Sequence, residues 1–497
     1  MKVKYMHLRK SHEKAKKGRL KASITVYLTG VMLVMLSLIM MLVSVSKHVA
    51  VKAESVAIVN MSMDSVFAEY NRELLESYDL FFIDTGYGGK EIGKGKLKNH
   101  LLDYLTKNTN VQEEVLLWNY KDFLNLKLDS AEIISASLAT DNKGKDLKYQ
   151  AIEYIRDLTG LELIDDVQNQ YNEAYSSGML TQDVSAMLEE KRAEVDAQEK
   201  PQIQNEDGEY VDAPISIPTD DVTRNIFSEL IKRMMKKGES ISDKTANFDG
   251  CVSKRTLEKG DGAFYAAEEF DLIDEILFDE YILDKCGAYL DEKEGNLLSY
   301  ETEYILVGSE SDKDNFTSVV MELHGVRWVT DFAYILTDSS KTGKAAEVAG
   351  SIPFIGQYTA LKKSLEGLIL IGWAYMEALS DTRRLLQGWK VPLIKDQADW
   401  VVPYEACFNL IPTLESTDKS YSGGLDYKGY LRVLLLTRGA DEKVMRLMNL
   451  IETRVRQTKG NQNFRLDGCV DAMTAQITLN GNGEDITITR TYDYMSR

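Results

Sequence analysis

Between Ala22 and Ser46 the chain runs for 25 positions without a charged residue, and nine of the 21 positions before it are Lys or Arg. As a helix rising about 1.5 Å per residue, this run is roughly 37 Å long, enough to cross a ~30 Å hydrocarbon core with some tilt. It holds twelve Leu, Ile and Val and four Met. At roughly −0.3 to −0.6 kcal/mol each, the twelve favour insertion by about 4 to 7 kcal/mol at most. The rest of the chain must then fold on one side of a bilayer. A cleaved signal peptide is the rival reading, with Val51-Lys52-Ala53 as a weak cleavage site. Its apolar region spans only about 7 to 15 residues, so the length of this run favours a retained anchor.

Charge sets the expected orientation. Positions 1–21 carry nine basic residues against one acid, Glu13, a net +8. Of the chain's 59 basic and 78 acidic residues, 50 and 77 follow, a net −27. A short basic flank stays in the cytoplasm. The expectation is a single-pass cell-membrane protein, N-terminus cytoplasmic and bulk extracellular. The lipid bilayer is one partner, and an acidic exterior argues against nucleic acid as another.

The helical pattern continues past the membrane. Val56, Val59, Met63, Val66, Tyr70 and Leu74 recur at spacings of three and four, the packing face of a helix, while Glu54, Asp64, Glu69, Arg72, Glu73 and Glu76 form its polar face. One helix is expected from the membrane to Leu74, followed by an extended Tyr78–Ile83 and a Gly-rich stretch, Gly86 to Gly95. Further helices are expected over Leu97–Leu105, Asp146–Leu158, Ile226–Lys237, Ala263–Tyr289 and Gln357–Leu386. Asp441 is expected to cap another, with Val444, Leu447, Met448, Ile451 and Val455 on one face. Strands are expected over Phe123–Leu128, Glu132–Ala139 and Tyr304–Val307. A C-terminal hairpin is expected from Gln476–Leu479 and Asp485–Thr489 around Asn480-Gly-Asn-Gly483.

The domain reading is a basic tail (1–21), the span (22–46), an α+β region opened by the extended helix (47–190), an acidic linker (191–221) and a helix-rich α+β region (222–497). The linker holds three of the chain's seven prolines and too little apolar surface to fold alone. The fold class is α+β: one N-terminal transmembrane helix continuing into a helix-rich extracytoplasmic region that ends in a β-hairpin.

The chemical motifs are incomplete. Gly88-x4-Gly93-Lys94 lacks the Ser or Thr of a phosphate-binding loop, with Gly95 in its place. Asp84-Thr-Gly86 has the aspartic-protease signature, but no second copy supplies the partner carboxylate; an Asp capping a turn is the simpler reading. Asp312-Lys-Asp314-Asn315 lacks the Gly and terminal Glu of a calcium loop and reads as a solvated turn. His100 and His324 are the only histidines well outside the membrane, and neither has metal-site spacing. Cys251, Cys286, Cys407 and Cys469 permit three pairings, or none if they are buried thiols. No catalytic, cofactor-binding or metal residue is expected, and the chain does not read as an enzyme.

Several segments carry a resemblance: Ser23-Ile-Thr-Val26, Ala68-Glu-Tyr-Asn-Arg-Glu-Leu-Leu75 and Tyr78-Asp-Leu-Phe81, then Tyr304-Ile-Leu306, Trp373-Ala374 with Glu377 and Asp381, Val391-Pro-Leu-Ile-Lys395, and Tyr427-Lys-Gly-Tyr-Leu-Arg432. Together they resemble a family of single-span proteins of Gram-positive bacteria. Those proteins look like the minor, pilin-like (TadE/TadG-like) components found with tight-adherence (Tad) pilus machinery. The resemblance is strongest from Ser23 to Phe81. It implies a membrane-anchored structural or assembly component that packs on other membrane or pilus-assembly proteins, and it transfers no catalytic residue. The fifth residue after Gly18 is Ser23 rather than the Glu of a processed prepilin, which argues against processing there. The alternative function is an anchored extracellular sensor or ligand-binding module.

Overall fold

The computed structural model describes residues 2–109, 124–158, 161–176, 229–262, 269–352, 359–408, 421 and 423–495, with the short pieces 193, 197, 202–204, 210–212 and 227. Its chain is α+β. In order the elements are α1 (Lys2–Phe67), α2 (Arg72–Tyr78), β1 (Ile83–Asp84), α3 (Lys94–Thr109), β2 (Leu126–Leu138), α4 (Lys145–Leu158) and α5 (Leu161–Ser176). Then come β3 (Gln202–Gln204), β4 (Tyr210–Asp212), α6 (Leu272–Lys285), α7 (Glu301–Val307), α8 (Asp312–Thr337) and α9 (Ser339–Ser351). The last are α10 (Thr359–Leu386), α11 (Tyr427–Leu436), α12 (Ala440–Gln457), β5 (Cys469–Gly481) and β6 (Glu484–Asp493). The expected span at Ala22 to Ser46 lies inside α1, the one described helix long and apolar enough to cross a membrane; its most apolar 18 residues have a mean hydropathy of 2.5. Such a helix is compatible with a single-pass anchor or a signal sequence.

Two compact units divide the chain. The first comprises 1–69, 93–136 and 472–497; the second comprises 70–92 and 137–471. The 191–221 segment lies largely outside the described residues, which there form a small antiparallel hairpin, β3 with β4.

In the first unit α1 packs on α3 and on β6. β6 pairs antiparallel with β5 from Ala472↔Asp493 to Gly481↔Glu484. This is the expected hairpin, but its strands are longer than expected and its loop shorter. The two-residue loop is Asn482 (φ 56°) and Gly483 (φ 87°), both left-handed as a twisted two-residue connection requires. Thr474 with Thr491 and Thr478 with Thr487 meet across the strands at 2.9 and 3.0 Å. β2 is a single strand where two had been expected, and residue 123 lies outside the described residues.

The second unit is helical. A broad core joins Leu74 and Tyr78 to residues of α4, α6, α7, α8, α10, α11 and α12. α6 opens on a capping box, in which Asp271 accepts from Asp274 N and Asp274 accepts from Asp271 N. Within this unit β1 pairs with the start of β5, at Ile83↔Val470 and Asp84↔Cys469.

Three sequence expectations fail here. Tyr304–Val307 is not a strand but the end of helix α7, closed by Gly308 at φ 85°. Tyr304, Ile305 and Leu306 are all buried, and a short, wholly buried apolar run carries no period to separate strand from helix. The long helix stops at Phe67 rather than Leu74. The Asn71 side chain accepts from Glu73 N and Leu74 N, which starts α2 afresh. Asp441 is not the cap of α12; Gly439 is, and Asp441 stands in the first turn, where its charge suits the helix dipole.

Candidate functional site

Along α1 the environment changes within a single turn. The large apolar side chains from Ile24 to Val49 are exposed, Val49 by 59%, whereas Val51 is 2% exposed. Beyond it Ile58, Val59, Met63, Val66 and Phe67 are buried and Val56 is half-buried. Tyr70 has left the helix and meets Phe81 edge-on at 5.4 Å; Leu74 is buried on α2. Four of the six expected packing residues therefore lie on the outer half of α1.

The polar side of that half is engaged too. Asn108 Nδ2 donates to Ser62 Oγ at 2.9 Å, Tyr492 OH donates to Asp64, and Tyr494 OH donates to the Phe67 carbonyl at 2.6 Å. The Phe67 ring lies 4.5 Å from Tyr492 and 5.0 Å from Tyr494. Glu69 accepts from Tyr104 OH at 2.9 Å and lies 2.9 Å from His100 Nδ1. This hydrogen bond, with burial and the Glu69 charge behind it, raises the Tyr104 pKa. Periodicity finds the apolar face but not these partners, which come from α3 and β6, remote in sequence.

The second unit encloses a cluster of ionisable side chains. Arg327 and Asp331 come from α8, Glu377, Asp381 and Arg384 from α10, and Lys395 from the loop after it. All six are buried, and three cations balance three carboxylates. Lys395 Nζ lies 2.5 Å from Glu377, 2.7 Å from Asp381 and 3.7 Å from Asp331. Arg327 reaches Asp331 at 2.7 Å and Asp381 at 2.9 Å, and donates to the Pro392 and Leu393 carbonyls at 3.0 Å. Glu377 also accepts from Val401 N and Val402 N. Trp373 Nε1 donates to the Val402 carbonyl at 2.7 Å. The 391–402 loop is thus tied to two helices.

Electrostatics follow from this crowding. Burial pushes Asp331 up to about 7 even though Arg327 and Lys395 pull it down. Burial would raise Asp381 as well, but Lys395, Arg327 and Arg384 together hold it below the usual carboxylate range. Burial would lower Lys395; its three carboxylates raise it instead. Trp373, Glu377 and Asp381 fall on one helical face of the sequence, and the Val391–Lys395 and Tyr427–Arg432 segments converge on the same place, with Tyr430 OH 3.3 Å from Arg327. Arg327, Asp331 and Arg384 were missed. Their only signal is a charged i, i+4 pair inside the apolar α8 and one further turn of charge on α10.

Two further networks fasten the same core. Arg255 binds Glu452 at 2.5 Å and Asp467 at 2.6 Å. Lys443 pairs with Asp279, whose carboxyl burial pushes up to about 7. Glu303 accepts from Tyr427 OH at 2.9 Å and from Tyr289 N at 3.0 Å. Burial holds it at about 7, and its Oε2 has no partner among the described residues.

The incomplete motifs sit in structural roles. Asp84 accepts from Gly86 N at 2.8 Å, a turn cap. Asp312 is not in a solvated turn: it is buried at the start of α8 and accepts from Ser299 N and Tyr300 N. His324 is buried among Phe227, Tyr375 and Trp328, and burial lowers its pKa to about 3. The four cysteines are free thiols; Cys251, Cys286 and Cys469 are buried. Among the described residues no group of three or more His, Cys, Asp or Glu is arranged to hold a metal ion.

A model of a family of unknown function, DUF5702, matches residues 209–481, more than half of the chain. No curated protein and no solved structure matches the chain.

Proposed function

Since the chain belongs to that family of unknown function, which carries no activity with it, we propose a reading from its architecture: a membrane-anchored component of a Tad-like pilus or surface secretion system, working by protein–protein packing. Its N-terminus is cytoplasmic and its bulk extracellular. One observation carries this reading: a single helix, α1, exposes an apolar half long enough to cross a membrane and buries its other half against α3 and β6. A helix built this way transmits position from bilayer to head without a hinge, which suits an assembly part. The flank of nine basic residues supports the orientation.

Two measurements test it. Protease added to intact, wall-stripped cells should digest nearly all of the chain while a cytoplasmic control survives; protection of the chain overturns the orientation. A photo-crosslinking residue at Leu33 should trap other membrane or pilus-assembly proteins. Adducts with lipid alone overturn the packing role.

A further inference from the structure

The tip of the β5–β6 hairpin stands beside the point where α1 turns from exposed to buried. Lys47 Nζ donates to Asn482 Oδ1 at 3.1 Å, and His48 Nδ1 lies 2.7 Å from Glu484 Oε2. A Cβ at Gly481 would fall 2.4 Å from Val51 and 3.0 Å from Leu126, so the glycine lets strand and helix touch. The uncharged run ends at Ser46. From there to Val51 the helix climbs roughly 7 Å. That is about the depth of one headgroup layer, since a bilayer some 40–45 Å thick has a core of about 30 Å.

We propose that the 481–485 tip rests among the phospholipid headgroups of the leaflet at the Ser46 end of the span, with Lys47, Lys52 and Lys127 directed to lipid phosphates. All three lysines are exposed, as are Asn482, Gly483, Glu484 and Asp485. The tip carries no large apolar side chain, so it lies at the headgroup level and does not enter the core. Two contacts to α1 hold it there, and the sheet stands on the membrane instead of hanging from a free tether. The inference rests on α1 being a retained span.

The test is tryptophan quenching in the full chain, reconstituted in phosphatidylcholine–phosphatidylglycerol vesicles. Nitroxide is carried either on the lipid headgroup or deep in the acyl chain, and the wild-type signal is subtracted. Val34→Trp reports the span and should lose emission to the deep label. Asp485→Trp, which leaves both contacts to α1 intact, should lose emission to the headgroup label and keep it with the deep one. Thr489→Trp, roughly 17 Å beyond Glu484 along β6, should keep its emission with both. If Val34→Trp responds and Asp485→Trp does not, the span stands and the headgroup contact is overturned. If Val34→Trp is untouched by the deep label, the span itself fails and this inference with it.

Discussion

The packing face of the outer half of α1 and the α8–α10 charge cluster are both buried, yet they are held by opposite means. On α1 the contact is apolar, with Val59, Met63, Val66 and Phe67 inside and neutral or half-exposed hydrogen bonds at the margin. Between α8 and α10 six ionisable groups lie where a core would ordinarily hold leucine. Apolar burial is graded and tolerant, because each methylene contributes about 0.8 kcal/mol and neighbours can adjust. A buried charge cluster is all-or-none, since every carboxylate removed from water needs its cation and its hydrogen bonds at once. The first suits a seam that must form wherever the helix emerges. The second sets one arrangement of two helices and a loop.

Breaking the charge balance should therefore have the largest effect. Lys395→Ala leaves Glu377, Asp381 and Asp331 short of a cation and should cost about 3–5 kcal/mol. Guanidinium unfolding of the full chain in detergent, read by tryptophan emission, checks it; a loss below about 1 kcal/mol would mean that water reaches the cluster. Val66→Asp puts an unpaired carboxylate into the apolar seam and should cost on the order of 3 kcal/mol. An effect near zero in the same assay would make the seam a loose contact.

Asp279, Glu301, Glu303 and Asp331 are all held at about 7 by burial, above their unfolded values. The native state then binds more protons than the unfolded state between about pH 4 and 7. Their contribution is complete below pH 4 and is lost as pH rises through 7, so the unfolding midpoint should fall across that window. Among the described residues no cation pairs with Glu303, and Glu303→Gln should recover on the order of 2 kcal/mol at pH 8 while changing little at pH 4. Equal effects at both pH values would show that Glu303 is ionised throughout.

Smaller effects sharpen the seam. Glu69 reads from sequence as solvent-facing, but it accepts from Tyr104 and His100, so Glu69→Lys should cost about 1–2 kcal/mol and not the few tenths of a free surface site. Gly483→Ala, at φ 87°, should cost about 1 kcal/mol through backbone strain in the hairpin loop.

Apolar period was enough for the parts of this molecule that face a uniform environment. The long apolar N-terminal helix, the apolar stripe through Val66, the helices at 97–105 and 146–158, the α12 face and the Asn-Gly hairpin are all legible, because core and solvent impose a one-dimensional pattern on a chain segment. The pattern failed where burial surrounds an element on every side, as at Tyr304–Val307, and where a local cap overrides a continuing stripe, as at Asn71. The charged interior lay beyond it for a different reason. A lysine or aspartate in sequence carries the expectation of water, and only the meeting of α8, α10 and the 391–402 loop gives Lys395, Asp381 and Arg327 the partners that make their burial tolerable. Which segments are apolar was set along the chain, and which charges could afford to leave water was decided by what folded around them.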